Sequence, residues 1–199
     1  MDIILATNNA HKVQELRRML EPLGYTLYSQ KEKGISIEVE ENGTTFEENA
    51  FLKAKAIYDL TGCAALADDS GLCVDALSGA PGVYSARYGH LDSDQARTAY
   101  LLKNLEDVPA GQRSARFVSA IACVLPDGRT VTAQGACEGE ILFAPRGENG
   151  FGYDPVFYVP ALGKTFAEAA PDEKNAVSHR GRALAAFEAA WKEKGYAHE

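Results

Sequence analysis

The run Ala64-Ala65-Leu66-Ala67-Asp68-Asp69-Ser70-Gly71-Leu72-Cys73-Val74 constrains this chain more than any other segment. Its flanks read as a buried strand, yet two adjacent carboxylates sit in the middle. An ionised carboxylate in such surroundings costs several kcal/mol unless it is paired or holds a metal. The fold must bring cations to this strand, or a hard divalent ion. Mg²⁺ held by one or two protein carboxylates commonly binds phosphates as well.

Strands and helices alternate around that run. Ile3 to Ala6 is a short apolar strand, and Thr7-Asn8-Asn9 is a turn. A helix follows from about Ala10 to Glu21, with Val13, Leu16 and Leu20 on one face and a stop at Pro22 and Gly24. Tyr25 to Ser29 reads as a second strand, and Ile35-Ser36-Ile37-Glu38-Val39 alternates like a third. Thr45-Phe46-Glu47-Glu48 is a capping box that opens a helix to about Leu60. Its apolar residues cover more than one face, so it is expected to be largely buried. Further on, Gly79-Ala80-Pro81-Gly82 marks a turn, and Asp92 or Ser93 starts a helix running to Leu105. Ala115 to Leu125 and Arg129 to Cys137 flank Pro126-Asp127-Gly128 as a hairpin. A last helix covers roughly His179 to Lys194. At 199 residues this pattern predicts an α/β fold with a mixed sheet, built as one domain or as one core in two lobes.

Composition narrows the partners. A formal net charge of −8 argues against a non-specific binder of nucleic-acid polymers, which normally shows a basic face. Cys63, Cys73, Cys123 and Cys137 lie far apart without a C-x-x-C, so they read as buried small hydrophobes in a reducing compartment. The first residues, Met1-Asp2-Ile3-Ile4-Leu5-Ala6, lack the basic and long apolar regions of a signal peptide. No apolar run approaches the roughly 20 residues of a membrane span. The expectation is a cytoplasmic protein with no membrane partner.

Several segments carry candidate chemistry. Thr7-Asn8-Asn9-Ala10-His11-Lys12 runs from a strand into a helix, where free N–H groups, the helix dipole and a lysine suit an anion. An ordinary N-cap with an exposed lysine explains the same residues. Glu38, Glu40 and Glu41 form an acidic cluster that is either a solvated loop or a source of a second metal ligand. Lys53 lies among apolar residues, where a lysine needs a carboxylate or phosphate partner or must snorkel to the surface. Gly150-Phe151-Gly152-Tyr153-Asp154-Pro155 combines free backbone, aromatics and a carboxylate; it is a capped turn or a close approach to a stacked base. In Lys174-Asn175-Ala176-Val177-Ser178-His179-Arg180, Ser178 suits an N-cap. His179 and Arg180 then oppose the helix dipole, so they are either solvated or met by an electron-rich group. His11, His90 and His198 have no convincing partner in sequence, and no Ser/His/Asp or Cys/His arrangement suggests covalent catalysis. Together these are the parts of a Mg²⁺-dependent enzyme acting on a nucleoside polyphosphate.

The segments Thr7 to Lys12, Ala67 to Leu72, Gly79 to Arg87, Gly150 to Pro155 and Glu173 to Arg180 also resemble the inosine-triphosphate pyrophosphatases, in the same order and spacing over nearly the whole chain. One departure is His11 before Lys12, where the family often has Gly or Lys. The resemblance implies hydrolysis of non-standard purine nucleoside triphosphates (ITP, dITP, XTP) to the monophosphate and pyrophosphate. It further implies one two-lobed α/β domain over residues 1–199 with an elongated mixed sheet flanked by helices, a central substrate cleft, and a homodimer. By motif, Asp69 would be general base and metal ligand with Lys53 sharing in catalysis, and Glu40 or Glu41 would complete the Mg²⁺ site with support from Asp68. Thr7, Asn8, Asn9, Ala10, His11, Lys12 and Ser70 would hold the triphosphate. Phe151, Gly152, Tyr153 and Asp154 would form the base pocket with Lys174, His179 and Arg180. Lys174 or Arg180 can donate to the 6-keto oxygen of hypoxanthine or xanthine, whereas the amino group of adenine would leave a buried donor unpaired. The rival readings are a pyrophosphatase for other modified nucleotides and a non-catalytic nucleotide-binding or regulatory module.

Overall fold

The computed structural model describes residues 1–193. Its first half alternates β1 (Asp2–Leu5), α1 (Ala10–Leu20), β2 (Thr26–Ser29), α2 (Phe46–Thr61) and β3 (Ala65–Val74). β1 pairs in parallel with both β2 and β3, placing Ile4 opposite Tyr28 and Ala65. A parallel pair cannot close through a tight turn, so each needs the crossover that α1 and α2 supply. The expected capping box is present: the Thr45 side chain accepts from Glu48 N, and the Glu48 side chain from the Thr45 backbone.

Two expectations fail in this half. Residues 35–39 form no strand, although their exposure alternates. Ile35 N donates to Gln30 O at 2.9 Å, and Ile37 O accepts from Gln30 Nε2 at 3.3 Å, so turn and side-chain bonds replace a ladder. α2 is also only half-buried: Phe46, Asn49, Ala50, Ala54 and Ile57 are covered, while Phe51 and Leu60 are exposed. A helix buries one side, and apolar residues beyond that stripe stay in solvent.

The second half contains α3 (Asp94–Asn104), β4 (Ser114–Val124), β5 (Thr130–Ile141), β6 (Phe157–Val159), β7 (Lys164–Thr165), α4 (Pro171–Val177) and α5 (His179–Glu193). Ser93 caps α3, accepting from Ala96 N at 3.1 Å. The turn between β4 and β5 closes with Gly128 N donating to Leu125 O at 2.8 Å, as the Pro-Asp-Gly signal predicts. β5 continues past Cys137 to Ile141. β6, β7 and α4 are too short to show a period in sequence. Ser178 stands between two helices: its N–H closes α4 by donating to Lys174 O at 2.8 Å, and α5 begins at the next residue. His198 and Lys194 lie outside the described residues.

The strand order is β2-β1-β3-β4-β5-β6-β7, and β6 runs antiparallel to both β5 and β7, so the sheet is mixed. The chain divides into two compact units. The first comprises Met1–Asp69, Ser119–Gly135 and the chain from Arg180 on; the second comprises Ser70–Val118 and Ala136–His179. The core of the first unit joins Ile3 and Leu5 of β1 to Leu16 and Leu20 of α1, Leu66, Ile121, and Phe187 and Trp191 of α5. That of the second joins Leu72, Leu101, Phe117, Phe157 and Phe166. Each such side chain contributes about 1.5–3 kcal/mol when fully buried. Cys123 and Cys137 are buried as expected, but Cys63 is exposed just beyond α2 and Cys73 is half-buried. Among the described residues no helix is long and apolar enough to cross a membrane.

Candidate active site

β3 is buried along almost its whole length, and both aspartates lie inside it: Asp68 is fully buried and Asp69 is 6% exposed. The strand forms because its residues are small and apolar on both faces. The carboxylates are tolerated because the first unit delivers cations to them. Asp68 Oδ2 lies 2.8 Å from Lys12 Nζ and 3.0 Å from Arg180 Nη2, and Oδ1 accepts from the Ser119 hydroxyl. Arg180 also pairs with Glu15 on α1. Burial would raise the Asp68 pKa, but Arg180 and Lys12 outweigh it and hold this carboxyl well below the usual range. Asp68 is therefore a permanently charged anchor whose oxygens are taken by protein groups, which sets it apart from the other carboxylates expected around a metal.

Asp69 is different. Oδ1 accepts from Lys53 Nζ at 3.0 Å, while Oδ2 is buried with no hydrogen-bond partner among the described residues. Burial raises its pKa, and Lys53 and Lys12 only partly offset that. Lys53 has the partners its apolar surroundings demand: besides Asp69, it reaches Asp68 O at 3.1 Å and Glu41 Oε1 at 3.2 Å. Burial works against its ammonium, but Asp69, Glu41 and Asp68 prevail and its pKa rises. Lys12 goes the other way, lowered by burial despite Asp68. The segment carrying Glu40 and Glu41 is tied to α2 where Gly43 N donates to Asn49 Oδ1 at 2.9 Å. A Cβ at Gly43 would meet that oxygen at 2.7 Å, so only glycine fits. Glu41 is thereby placed at Lys53, while Glu40 is exposed.

A hard cation suits this donor set: an orphaned, buried Asp69 oxygen and the Glu41 carboxylate share one lysine as neighbour. Among the described residues no three His, Cys, Asp or Glu side chains converge as a closed metal cage. Mg²⁺ asks for none, since one or two carboxylates plus phosphates and water complete its shell.

At the start of α1, Asn9 Oδ1 accepts from His11 N at 3.0 Å and Lys12 N at 3.2 Å, and Thr7 Oγ1 accepts from Asn9 N at 3.1 Å. The ordinary N-cap is therefore present, and it uses two of the N–H groups an anion would want. Asn8, Asn9, Ala10 and His11 are exposed around it, whereas Lys12 is drawn inward to Asp68.

The second unit holds the aromatic-glycine loop and, in the middle of β3, the half-buried Ser70. Asp154 Oδ2 accepts from Phe151 N at 3.0 Å and from Lys174 Nζ at 2.7 Å, with Lys174 only 4% exposed. The Lys174 ammonium sits 5.0 Å from the Phe151 ring centre and 5.5 Å from that of Phe166, within cation–π range. His179 stacks on Phe117, with centroids 4.7 Å apart and planes 15° from parallel. Tyr153 is buried and its hydroxyl donates to Ser85 O at 2.7 Å. The loop can approach this close only with glycine at 150, whose φ is +73° and where a Cβ would lie 2.0 Å from Asp154 Oδ2.

Arg180, expected beside Lys174 as a reader of the base, has its guanidinium buried in the first unit between Asp68 and Glu15. The two carboxylates take its terminal nitrogens. The same pairing accounts for a cation opposing the α5 dipole, because Asp68 is the compensating charge. Sequence reasoning also missed Glu15, Ser119, Phe117 and Phe166. Ser119 carries the signal that marked the aspartates, a polar residue inside an apolar strand; the other three look like ordinary helix and core positions.

The Ham1 family model matches residues 3–190. A dITP/XTP pyrophosphatase of Desulforamulus reducens is 55% identical over 185 residues, covering 92% of each chain. One from Thermus thermophilus is 51% identical, covering 97% of this chain and 93% of its own. Among solved structures, a HAM1 protein from Coxiella burnetii superposes with a TM-score of 0.86 at 43% identity, covering 97% of this chain and 99% of its own.

Proposed function

The chain belongs to the Ham1 family, and we propose that it hydrolyses the triphosphates of non-standard purine nucleosides (ITP, dITP and XTP) to the monophosphate and pyrophosphate. The observation that carries the reading is Asp69: a buried carboxylate, held on one oxygen by Lys53 and open on the other, with its pKa raised by burial. A carboxylate of that kind accepts a proton more readily than a solvated one.

The reaction is an in-line displacement at the α-phosphorus. Water, oriented at the open oxygen of Asp69, gives that carboxylate its proton as the new P–O bond forms. The bond from the α-phosphorus to the bridging oxygen breaks, and pyrophosphate departs with the electron pair. Lys12 and Lys53 hold the phosphates and offset the growing charge; preorganised electrostatics of this kind commonly contributes most of an enzyme's rate enhancement. Arg180 and Ser119 act behind them by keeping Asp68 ionised and fixed, so that Lys12 stays in place. Asp69 and Glu41 would hold Mg²⁺, which when bound supplies charge neutralisation on the phosphate oxygens. Thr7 to His11 and Ser70 complete the phosphate contacts.

In the second unit, Phe151 offers a stacking face and Lys174 a donor for a 6-keto oxygen. Asp154 aims that lysine, accepting from its Nζ at 2.7 Å. A homodimer in the cytoplasm completes the proposal.

The test is pyrophosphate release from ITP, XTP, dITP, GTP, ATP and dTTP, with Mg²⁺ and with chelator. Metal-dependent preference for ITP, dITP and XTP is expected. A flat profile or no turnover would overturn the assignment and favour a nucleotide-binding module.

A further inference from the structure

Gly150-Phe151-Gly152 has little conformational preference of its own. Gly150 and Gly152 both lie in the left-handed region, with φ of +73° and +61°. Glycine enters that region freely and leaves it as freely. Asp154 holds the backbone of Phe151 from one side, through Phe151 N to Oδ2 at 3.0 Å, and Gly152 is held from outside the loop.

Gly152 has no side chain, so its only handles are its N–H and its carbonyl. Both are taken by one face of α3. Gly152 N donates to Asp94 Oδ2 at 2.7 Å, and the Thr98 hydroxyl donates to Gly152 O at 3.4 Å. Residues four apart lie on the same side of a helix, so the two bonds form one grip. Asp94 is itself braced, since Arg97 Nη2 holds its other oxygen at 2.5 Å while Arg97 Nη1 donates to Leu91 O at 2.7 Å. Thr98 is buried. The far end of α3 is fixed as well. The buried Arg113 donates to Leu105 O and Val108 O just beyond the helix, and to Ile141 O and Leu142 O at the end of β5. α3 is thus a beam anchored at one end and gripping the loop at the other.

We propose that Asp94 and Thr98 are positioning residues for base selection: they set Phe151 and Asp154 at the distance from Lys174 at which a 6-keto purine is accepted. This rests on the reading of the Phe151-Asp154-Lys174 group as the base pocket. Neither residue touches the reacting atoms. Their effect falls on how well different bases are told apart, and much less on the chemistry of the first unit.

The experiment measures kcat and KM for ITP and ATP, together with amide hydrogen exchange at Gly152, in Asp94→Ala, Asp94→Asn, Thr98→Val and Lys174→Met. Asp94→Ala is expected to raise KM for ITP and lower the ITP-over-ATP ratio of kcat/KM by about tenfold, the factor that about 1.4 kcal/mol of lost hydrogen bonding carries. Exchange at Gly152 should accelerate in the same variant. Asp94→Asn keeps a carbonyl acceptor for Gly152 and should recover most of both effects. Thr98→Val should lower the ratio in the same direction, which also covers the case of an Asp94→Ala that folds poorly. An unchanged ratio in the Asp94 and Thr98 variants, beside a shifted ratio in Lys174→Met, would overturn the positioning role and leave the base pocket standing. An unchanged ratio in Lys174→Met would overturn the base pocket, and this inference with it.

Discussion

Asp68 and Asp69 are neighbours in one strand, and a strand sends successive side chains to opposite faces. Chemically identical groups therefore meet different surroundings. Asp68 is held ionised by Arg180 and Lys12, and Asp69 is pushed toward protonation by burial. Their substitutions should separate accordingly. Asp69→Asn removes the base and the charge but no structural partner except Lys53. It is expected to lower kcat by about 10²–10⁴-fold, the range of general-base catalysis, with an unchanged melting temperature by calorimetry. Asp68→Ala leaves Lys12 and Arg180 buried beside a gap. It is expected to lose about 3–5 kcal/mol in urea unfolding, as removal of one partner from a buried ion pair does. Equal losses of stability in the two variants would contradict the division of labour. Sequence alone marked both aspartates as needing cations. It could not say which would get them, because Lys12, Ser119 and Arg180 come from three distant segments.

Among the elements, the loop between the grip of α3 and the lysine of α4 depends on a missing side chain. Gly150→Ala would place its Cβ 2.0 Å from Asp154 Oδ2 and force the carboxylate off Lys174. The expected outcome is a KM for ITP raised more than kcat is lowered, read from steady-state kinetics. β4 supplies a second prediction. Cys123 is fully buried in the first core, and burial pushes its thiol from 9.0 up to about 12. A raised folded pKa gives stability that is whole below pH 9 and is lost as pH climbs toward 12, because the unfolded chain ionises first. Three pH units correspond to about 4 kcal/mol at most, so denaturant midpoints should fall across that window and fall less in Cys123→Ala. The capping box of α2 and the turn of the β4–β5 hairpin were legible because each is settled among four or five adjacent residues. Ile35 to Val39 misled for the complementary reason: alternation describes two faces, but a strand also needs a neighbour, and this segment bonds to Gln30 instead.

Across the whole molecule, two hydrophobic cores carry two polar groups of different character. The first unit has buried carboxylates threaded with lysines and an arginine, suited to phosphate and a divalent ion. The second has aromatic rings around one lysine and one aspartate, suited to a keto-bearing base. A ligand that binds only the folded chain stabilises it by about 2.7 kcal/mol at a hundred times its Kd. For a chain of this size that is about 5–11 °C. Mg²⁺ with a non-hydrolysable ITP analogue should therefore raise the melting temperature by that order, and chelator should abolish most of the gain. An equal shift from the ATP analogue would count against base selection by the second unit.

The order of residues alone posed the problems to be solved: an acidic pair in an apolar strand, a lysine in a half-apolar helix, glycines around an aromatic, cations at a helix start. All but the glycines are local violations of burial or of the helix dipole, and such violations are visible in a string of letters because their cost is local. Which group resolves each one was left to the folded chain. His179 and Arg180 are adjacent, yet the imidazole stacks on Phe117 in one unit while the guanidinium binds Asp68 in the other. No period or motif separates them, because a side chain's partner depends on which strands and helices folding brings beside it.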